Sequence, residues 1–243
     1  IMSSRTSQGA IAWAISLITF PYLALPLYLV LGRNRFEGYL EQREEMEEES
    51  LQLLEDTSDS ISNSVIPLDD STPLYTSLFR LARMPATSGN ELQLLIDGQA
   101  TFDDIAAGME AARKYILFQF YIIRDDDLGR RLGRILADRA REGVKVYLLY
   151  DEVGSRPFIR SGLLKQLLTV GVRATPFNTT QGRRNRFQLN FRNHRKIVVV
   201  DGEQAWIGGH NVGIEYLGLK KRFGHWRDTH VRVSGPAVRG ADQ

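Results

Sequence analysis

A short run of β-branched residues late in the chain restricts the possible folds more than any other feature. Residues 197–200 read Ile-Val-Val-Val, which is typical of a buried strand. The polar segment Asn193–Lys196 leads into this run, and the pair Asp201-Gly202 that follows it favours a tight hairpin turn. The sequence therefore predicts a β-hairpin whose first strand is entered through a histidine and a lysine.

The side chains of His194 and Lys196 lie on one face of the predicted strand, because residues two apart on a strand share a face. If the chain folds back so that Val200 pairs with Glu203, Lys196 lies opposite Ile207 on the second strand. The hairpin then brings the end of its second strand to the start of the first.

The same pairing places His194 opposite Gly209, with Gly208 beside it and Asn211 one step further along. The two glycines then leave a bare floor between the histidine, the lysine and the asparagine. A nucleophile or proton carrier, a fixed cation and a neutral hydrogen-bond donor together suit a phosphate diester. A core hairpin with a chance histidine and lysine is the alternative interpretation, but the full spacing favours a catalytic site.

Residues 188–215 contain the pattern H-x-K-x4-D-x6-G-G-x-N, which begins at His194 and includes Asp201. This pattern resembles the HKD motif of the phospholipase D superfamily. The resemblance implies an α/β domain of the phospholipase D-like type, in which a layered, mixed sheet is flanked by helices. It also implies chemistry on phosphodiesters that requires no metal and no organic cofactor.

The order of the predicted elements fits such a domain over residues 91–243. Strand and helix patterns alternate, and this alternation indicates an α/β fold with a largely buried mixed sheet. The predicted strands cover residues 91–96, 115–123, 144–150 and 172–177. The predicted helices cover 101–114, a stretch that follows the cluster Asp125–Asp127 and continues through Arg141, and 163–170.

An uncharged, mostly apolar segment covers residues 6–32 and is long enough to cross a bilayer as one helix. We interpret it as a transmembrane helix; a secretory signal peptide and a buried soluble helix are the alternatives. Pro21 and Pro26 would kink it, which membrane helices tolerate. Basic residues are more frequent after the segment than before it, which places the following domain in the cytoplasm: Arg33, Arg35 and Arg43, against Arg5.

Residues 33–90 are predicted to form a cytoplasmic linker. The part between residues 37 and 59 is rich in glutamate, and we expect an acidic, solvent-exposed helix there. Serine-rich and proline-rich breaks then separate this helix from the domain.

Several further residues are weaker candidates for the site. The cluster Asp125–Asp127 fits a helix N-terminus better than a metal site, and Asp151 follows a buried strand at the edge where α/β sheets place their sites. His225 and His230 lack the spacing of metal ligands, so we expect them to be satisfied polar positions. Four arginines precede the motif. We interpret them as a rim that attracts anions, with a plain solvated loop as the alternative: Arg183, Arg184, Arg186 and Arg192.

Several short segments, taken in chain order, restrict the resemblance to one family within this superfamily. Together with the apolar segment they are similar to bacterial cardiolipin synthases: Leu31–Asn34, Leu149–Ser155, Asn193–Lys196, Trp226–Asp228 and Gly235-Pro236. That family has two N-terminal membrane helices and two HKD halves, whereas one predicted helix and one motif are present here. The sequence also begins at Ile1 and stops at Gln243 without an evident closing element, so we expect an N-terminal half cut at both ends.

The family resemblance implies roles for the motif residues. His194 attacks phosphorus and forms a phosphohistidine, while the histidine of a second HKD half protonates the leaving alcohol. Lys196 and Asn211, with the glycine floor, hold the non-bridging phosphate oxygens. Asp228 is the candidate carboxylate that orients His194, with a surface salt bridge as the alternative. Asp201 is expected to support the turn rather than to touch substrate.

The implied function is a membrane-anchored phosphatidyltransferase of the bacterial inner membrane, with its catalytic domain in the cytoplasm. It would make cardiolipin from two phosphatidylglycerol molecules and release glycerol. Its expected partners are anionic phospholipid, the membrane and a second HKD half, in the same chain or in a dimer, so the 243 residues alone should have little activity. We expect no nucleic-acid partner, because the net charge of +2 is nearly balanced. The alternatives are a phospholipase D-type hydrolase or nuclease, and a single-motif chain that acts only as a dimer or as a scaffold.

Overall fold

The structure, a computed structural model, describes four parts of the chain: residues 7–31, 64–67, 86–177 and 193–240. The predicted acidic helix of the linker and the four arginines before the motif lie outside these parts. Two pieces of the predicted linker are described, and they contact each other. Val65 and Thr87 form an isolated antiparallel bridge, and the amide of Ile66 donates to the carbonyl of Ala86 at 2.8 Å.

The apolar N-terminal segment forms two helices instead of the single helix predicted over residues 6–32. Helix α1 covers Ser7–Thr19 and helix α2 covers Pro21–Leu31. The break falls directly before Pro21, whose ring removes an amide donor and disfavours a continuous helix. The rings of Trp13 and Tyr28 lie 5.3 Å apart, whereas a straight helix would separate them by about 22 Å, so the chain turns back between them. Within the described residues, no helix is both long enough and apolar enough to cross a membrane.

Seven described strands form one mixed sheet. Their bounds are β1 (Glu91–Ile96), β2 (Tyr115–Phe120), β3 (Lys145–Asp151), β4 (Arg173–Phe177), β5 (Ile197–Val200), β6 (Gln204–Gly208) and β7 (Thr229–Ser234). Across the sheet the order is β1-β7-β6-β5-β2-β3-β4. Strands β2, β3 and β4 are parallel, and every other neighbouring pair is antiparallel. The mixed sheet predicted from the sequence is confirmed.

Helices connect the strands and pack on one face of the sheet. Their bounds are α3 (Asp97–Glu110), α4 (Asp127–Arg141), α5 (Arg156–Arg160) and α6 (Gly162–Thr169). Helix α4 joins β2 to β3, and α5 with α6 joins β3 to β4, as neighbouring parallel strands require. Two short 3-10 helices, Ile214–Leu217 and Pro236–Gly240, lie before and after β7 in the chain.

Helix α3 begins and ends earlier than the predicted range of 101–114. The pair Asp97-Gly98, which has the composition of a turn, opens the helix instead, and Asp97 adopts a left-handed φ of 65°. Gly98 is buried where a Cβ would overlap the carbonyl group of Tyr216. The start of α3 therefore packs directly on the first 3-10 helix.

The three consecutive aspartates lie at the start of α4, as predicted. The Asp126 carboxylate accepts hydrogen bonds from the amides of Gly129 at 3.1 Å and Ile214 at 2.9 Å, and so joins α4 to the 3-10 helix. Asp125 forms an ion pair with Arg130 at 2.7 Å. In the part of the chain that the structure describes, no three His, Cys, Asp or Glu side chains group as they do around a metal ion.

The main core lies between the sheet and these helices. Alternate residues of the central strand β2, Ile116, Phe118 and Phe120, are almost fully buried on this side. Trp206 of β6 is buried too, and its indole nitrogen donates to Asp104 of α3 at 2.6 Å. Burial of these large side chains decides which face of each strand points toward the helices.

The strand order brings five chain segments to one edge of the sheet. Strand β5 is antiparallel to β2, so the start of β5 lies beside the carboxyl ends of β2 and β3. The end of β6 and the start of β7 reach the same edge, since β6 is antiparallel to both of its neighbours. The histidine and the lysine of the motif enter the sheet at this edge.

Candidate active site

The β5–β6 hairpin has a register that differs by one residue from the predicted one. Val200 pairs with Gln204, so the predicted pairing with Glu203 is wrong. The connecting loop therefore holds three residues, and the first two of them, Asp201 and Gly202, adopt left-handed φ angles of 56° and 69°. The Asp-Gly pair forms the turn as predicted, but the turn is one residue longer.

This shift changes the function of the two glycines. The amide of Gly208 donates to the carbonyl of Lys196 at 3.3 Å. A Cβ on Gly208 would overlap the ring of His230, and a Cβ on Gly209 would overlap the carboxylate of Asp228. The floor that the sequence predicts as bare is therefore filled by these two side chains, which approach the backbone because glycine has no Cβ.

His194 and Lys196 meet at the ring of Tyr121, which directly follows β2. His194 is exposed, and its ring stacks on that of Tyr121 with centroids 4.1 Å and planes 20° apart. The Lys196 ammonium lies 5.6 Å from the centre of the same ring and donates to the carbonyl oxygen of His194. The side chains of His194 and Lys196 therefore both lie against one aromatic ring at this edge of the sheet. The sequence carries no signal for Tyr121, because the adjacency of β2 and β5 is a property of the sheet order.

Asp228 supplies the negative charge beside the lysine. Burial lowers the pKa of the half-buried Lys196, and the charge of Asp228 acts in the opposite direction. One carboxylate oxygen of Asp228 accepts a hydrogen bond from the amide of Thr229 at 2.7 Å. No hydrogen bond joins Asp228 to His194 in the described structure, so its orienting role stays a prediction.

The carboxamide of Asn211 is buried and hydrogen-bonded within the protein. Its oxygen accepts from the amide of Ile122 at 3.0 Å, and its nitrogen donates to the hydroxyl of Tyr216 at 3.0 Å. Asn211 therefore holds the chain segment that follows β2, next to the residue that stacks on His194. Its predicted contact with a substrate phosphate stays a prediction.

Asp201 lies at the opposite end of β5 from His194. Its carboxylate accepts hydrogen bonds from three consecutive amides, those of Arg113, Lys114 and Tyr115, at 2.8, 2.7 and 2.8 Å. Burial acts to raise the pKa of Asp201, but these hydrogen bonds outweigh burial and hold the pKa below its usual range. Along a strand, the chain from His194 to Asp201 spans about 23 Å. Asp201 therefore anchors the hairpin to the start of β2.

Asp151 fixes the chain next to His194. Its carboxylate is almost fully buried; one oxygen accepts from the amides of Val153 and Gly154 at 2.9 and 2.8 Å, and the other accepts from the amide of Asn193 at 3.1 Å. A buried carboxylate needs such donors to offset its lost hydration. The end of β3 thereby positions the residue directly before His194.

A buried pair of histidines lies behind this edge. Nδ1 of His210 and Nδ1 of His230 are 3.0 Å apart, so one ring donates a hydrogen bond and the other accepts it. Neither Nε2 atom has a hydrogen-bond partner among the described residues, so His230 is satisfied at one ring nitrogen only. Burial lowers the pKa of both rings, and for His230 burial and the adjacent His210 lower it to about 4. His225, by contrast, contacts Asp97 at 3.0 Å.

Residues 105–221 match the family model described as "Cardiolipin synthase, PLD-like domain". This range contains β2 to β6, the hairpin and both glycines. A phospholipase D-like domain is therefore the class of protein that this fold and this site define.

Two curated relatives identify the family within that class. Cardiolipin synthase A from Pseudomonas fluorescens is 46% identical over 241 residues, which cover 98% of this chain and 50% of that protein. Cardiolipin synthase A from Pseudomonas aeruginosa is 45% identical over 241 residues, with coverage of 98% and 49%. The chain belongs to the cardiolipin synthase family, and it spans about half the length of these relatives. Among solved structures, NucT from Helicobacter pylori is 13% identical with a TM-score of 0.49, over 63% of this chain and 91% of that chain.

Proposed function

We propose that the chain supplies one HKD half of a phosphatidyltransferase that makes cardiolipin from two phosphatidylglycerol molecules and releases glycerol. The observation that carries the proposal is the placement of the exposed His194 and of Lys196 against the same ring, that of Tyr121, at one edge of the sheet. A nucleophile next to a fixed cation suits attack on a phosphodiester. The relatives named cardiolipin synthase A support the choice of lipid.

In the first step, a ring nitrogen of neutral His194 attacks the phosphorus of phosphatidylglycerol. The bond between phosphorus and nitrogen forms while the bond between phosphorus and the glycerol oxygen breaks. Lys196 stabilises the charge that grows on the non-bridging oxygens, and Asn211 has one further amide hydrogen to donate to them. Asp228 orients the attacking ring, and the leaving glycerol takes a proton from a second histidine.

In the second step, the terminal hydroxyl of another phosphatidylglycerol attacks the phosphohistidine. The second histidine takes the hydroxyl proton back, the bond between phosphorus and His194 breaks, and cardiolipin is released. One phosphodiester replaces another, so the exchange requires no nucleotide.

The second histidine is assigned to another HKD half, in the same protein or in a partner subunit. Within the described residues, His210 and His230 are fully buried and His225 contacts Asp97. No hydrogen bond or ring contact joins any of these three side chains to His194 in the part of the chain that the structure describes. The length of the relatives, about twice that of this chain, supports the assignment.

We assign residues 6–32 to anchoring at the bacterial inner membrane, with the domain on the cytoplasmic side. This segment is uncharged, and several large apolar side chains of α1 and α2 are exposed: Ile15, Ile18, Tyr22, Leu23 and Leu25. Contiguous exposed apolar side chains of this kind mark surfaces that contact a membrane or a protein.

The test combines the chain with a second HKD half from a cardiolipin synthase A relative, on vesicles that contain phosphatidylglycerol. Cardiolipin and glycerol should form in equal amounts, and the chain should retain phosphorus label from labelled phosphatidylglycerol after denaturation. His194→Ala should abolish product and label, whereas His225→Ala, the matched loss of a histidine, should keep both. Phosphatidic acid in place of cardiolipin would identify a hydrolase. Cardiolipin made in a His194-dependent manner by the purified monomeric chain alone would contradict the need for a second half.

A further inference from the structure

A loop of unusual composition connects the first 3-10 helix to β7. Residues 219–223 read Leu-Lys-Lys-Arg-Phe, and we call them the basic–apolar loop. Leu219 is 66% exposed and Phe223 is 50% exposed. The three residues between them are basic, and no acidic residue occurs from position 217 to position 227. Large apolar side chains exposed together on a surface indicate a binding partner.

The basic–apolar loop is held in a defined conformation. Gly218 and Gly224 adopt left-handed φ angles of 72° and 64° on either side of it. The amides of Phe223 and Gly224 both donate to the carbonyl of Lys220, at 3.0 and 3.2 Å. The Lys220 ammonium forms an ion pair with the buried carboxylate of Glu215 at 2.9 Å. The turn therefore presents its apolar side chains in fixed positions.

Aromatic contacts connect the loop to the candidate active site. The ring of Phe223 packs edge-on against Trp226, with centroids 6.1 Å apart, and Trp226 packs against Tyr216 at 4.9 Å. The hydroxyl of Tyr216 accepts the hydrogen bond from Asn211 at 3.0 Å. A partner bound to the loop is thus three side-chain contacts away from the motif.

The charges of the loop indicate the chemistry of that partner. Lys221 and Arg222 are exposed and form no ion pair with any residue that the structure describes. The Arg222 guanidinium lies 5.8 Å from the centre of the Phe223 ring, so charge and apolar surface are adjacent. The aliphatic Leu219 cannot stack on a nucleobase, which disfavours single-stranded nucleic acid. Apolar side chains next to cations suit an anionic bilayer, where the former enter the acyl boundary and the latter contact headgroup phosphates.

We propose that the basic–apolar loop docks this domain on an anionic lipid bilayer. Leu219 and Phe223 enter the boundary between headgroups and acyl chains, and Lys221 and Arg222 contact lipid phosphates. The inference rests on the proposed function for the lipid class, since phosphatidylglycerol is anionic, and goes beyond it by assigning the surface that contacts the bilayer. Docking at this loop brings the layer of lipid phosphates close to the edge that holds His194.

The absence of cysteine from the sequence permits a site-specific test. Phe223→Cys and, as a matched control, Leu168→Cys each carry a bimane label; both native side chains are 50% exposed, and Leu168 lies on α6. The full chain is bound to vesicles of phosphatidylglycerol and phosphatidylcholine, with nitroxide lipids as the membrane quencher and iodide as the aqueous quencher. We expect nitroxide lipids to quench the label at position 223 several-fold more strongly than the label at position 168, and iodide to do the reverse.

Neutralising the loop with Lys221→Gln and Arg222→Gln, or using phosphatidylcholine alone, should reduce lipid quenching at position 223. Equal quenching by iodide at both positions overturns the proposal. A label at position 223 that is shielded from both quenchers also overturns it, because that result indicates a protein contact. When combined with the second HKD half, the His194→Ala chain should lose transferase activity and keep its lipid quenching. Transferase activity without lipid quenching would contradict the docking proposal but would leave the proposed function intact.

Discussion

Gly208 and Gly209 determine where the polar side chains at the edge of the sheet lie. The His230 ring occupies the position of the missing Cβ at Gly208, and the Asp228 carboxylate occupies that position at Gly209. Asp228 directly precedes β7 and His230 lies at its start, so the two glycines set the distance between β6 and these polar side chains. At the scale of single residues, the positions of His230 and Asp228 therefore depend on the absence of a Cβ atom at Gly208 and Gly209.

We expect Gly208→Ala to destabilise the domain by about 1–3 kcal/mol, because the added methyl group overlaps the buried ring of His230. Urea unfolding followed by tryptophan fluorescence measures the loss. Gly162→Ala is the control, since a Cβ there meets only the end of Gln166 and alanine favours the helix. Equal losses in the two variants would contradict the packing assigned to His230.

The buried histidine pair should make the domain sensitive to mild acid. The pKa of His230 is about 4 in the folded protein and 6.5 in its ordinary state, so the unfolded chain binds more protons between these values. The stability is therefore complete above the ordinary pKa and falls as the pH decreases toward the folded value, by on the order of 3 kcal/mol for this group.

His230→Asn tests this sensitivity, because asparagine offers His210 a hydrogen-bond partner that does not titrate. Its free energy of unfolding should change less between about pH 7 and about pH 5 than that of the unmodified chain. Urea titrations at a series of pH values give the comparison. If the free energies of unfolding of the two proteins change in parallel with pH, the histidine pair does not cause the acid sensitivity.

At the scale of secondary structure, carboxylates that accept backbone amides join elements that are distant in sequence. Asp201 joins the β5–β6 hairpin to the start of β2, and Asp151 joins β3 to the residue before His194. Asp126 joins α4 to the first 3-10 helix. Each contact satisfies backbone groups that no strand or helix partner satisfies.

Asp201→Asn should lower the free energy of unfolding by about 1–3 kcal/mol, because an amide replaces the charged acceptor of three N–H groups. The lowered pKa of Asp201 means that its contribution is present above the ordinary carboxyl pKa and is lost as the pH falls through the folded value. Asp138→Asn, which breaks only an exposed ion pair with Arg141, should cost less than about 1 kcal/mol. Similar losses would argue against the anchoring role.

Asp151→Asn should lower kcat by on the order of tenfold to a hundredfold with little change in KM, because it displaces the chain before His194 without touching bound lipid. Steady-state kinetics on the assembled enzyme give both constants. Asp126→Asn is the control: it also breaks hydrogen bonds to backbone amides, so it should lower stability and keep kcat. A rise in KM with unchanged kcat would assign Asp151 to substrate binding instead.

At the scale of the whole molecule, two separate surfaces are candidates for membrane contact. The apolar side chains of α1 and α2 form the first, and the basic–apolar loop forms the second. Contact by apolar side chains is insensitive to salt, whereas contact through lysine and arginine weakens as salt screens the charges. The two contributions can therefore be separated.

Removal of residues 1–63 should convert firm vesicle binding into weak binding that high salt abolishes. Flotation with phosphatidylglycerol vesicles at low and high salt measures both states, with the full chain as the reference. The truncated chain should float at low salt only, because the loop remains and the apolar segment is gone. Flotation of both proteins at high salt would contradict the anchoring role of residues 6–32.

Patterns within short stretches of sequence account for much of this fold. The bounds of β1 were predictable to the residue, and the start of α4 at the three aspartates followed from helix capping. The prediction that His194 and Lys196 share a face rests on the alternation of side chains along a strand, but both residues precede β5, which begins at Ile197. Periodicity and caps act between residues that are close in the chain, so the sequence alone determined them, and with them the α/β class and the motif.

Only the tertiary structure decided how these elements meet. The pairing of Val200 with Gln204 depends on one extra residue in the turn, a small local difference that shifts every pair along the hairpin. The stacking of His194 on Tyr121 and the contact between His210 and His230 join neighbouring strands that are distant in sequence. Such contacts follow from the sheet order, which is set by how the whole core packs and not by any local pattern.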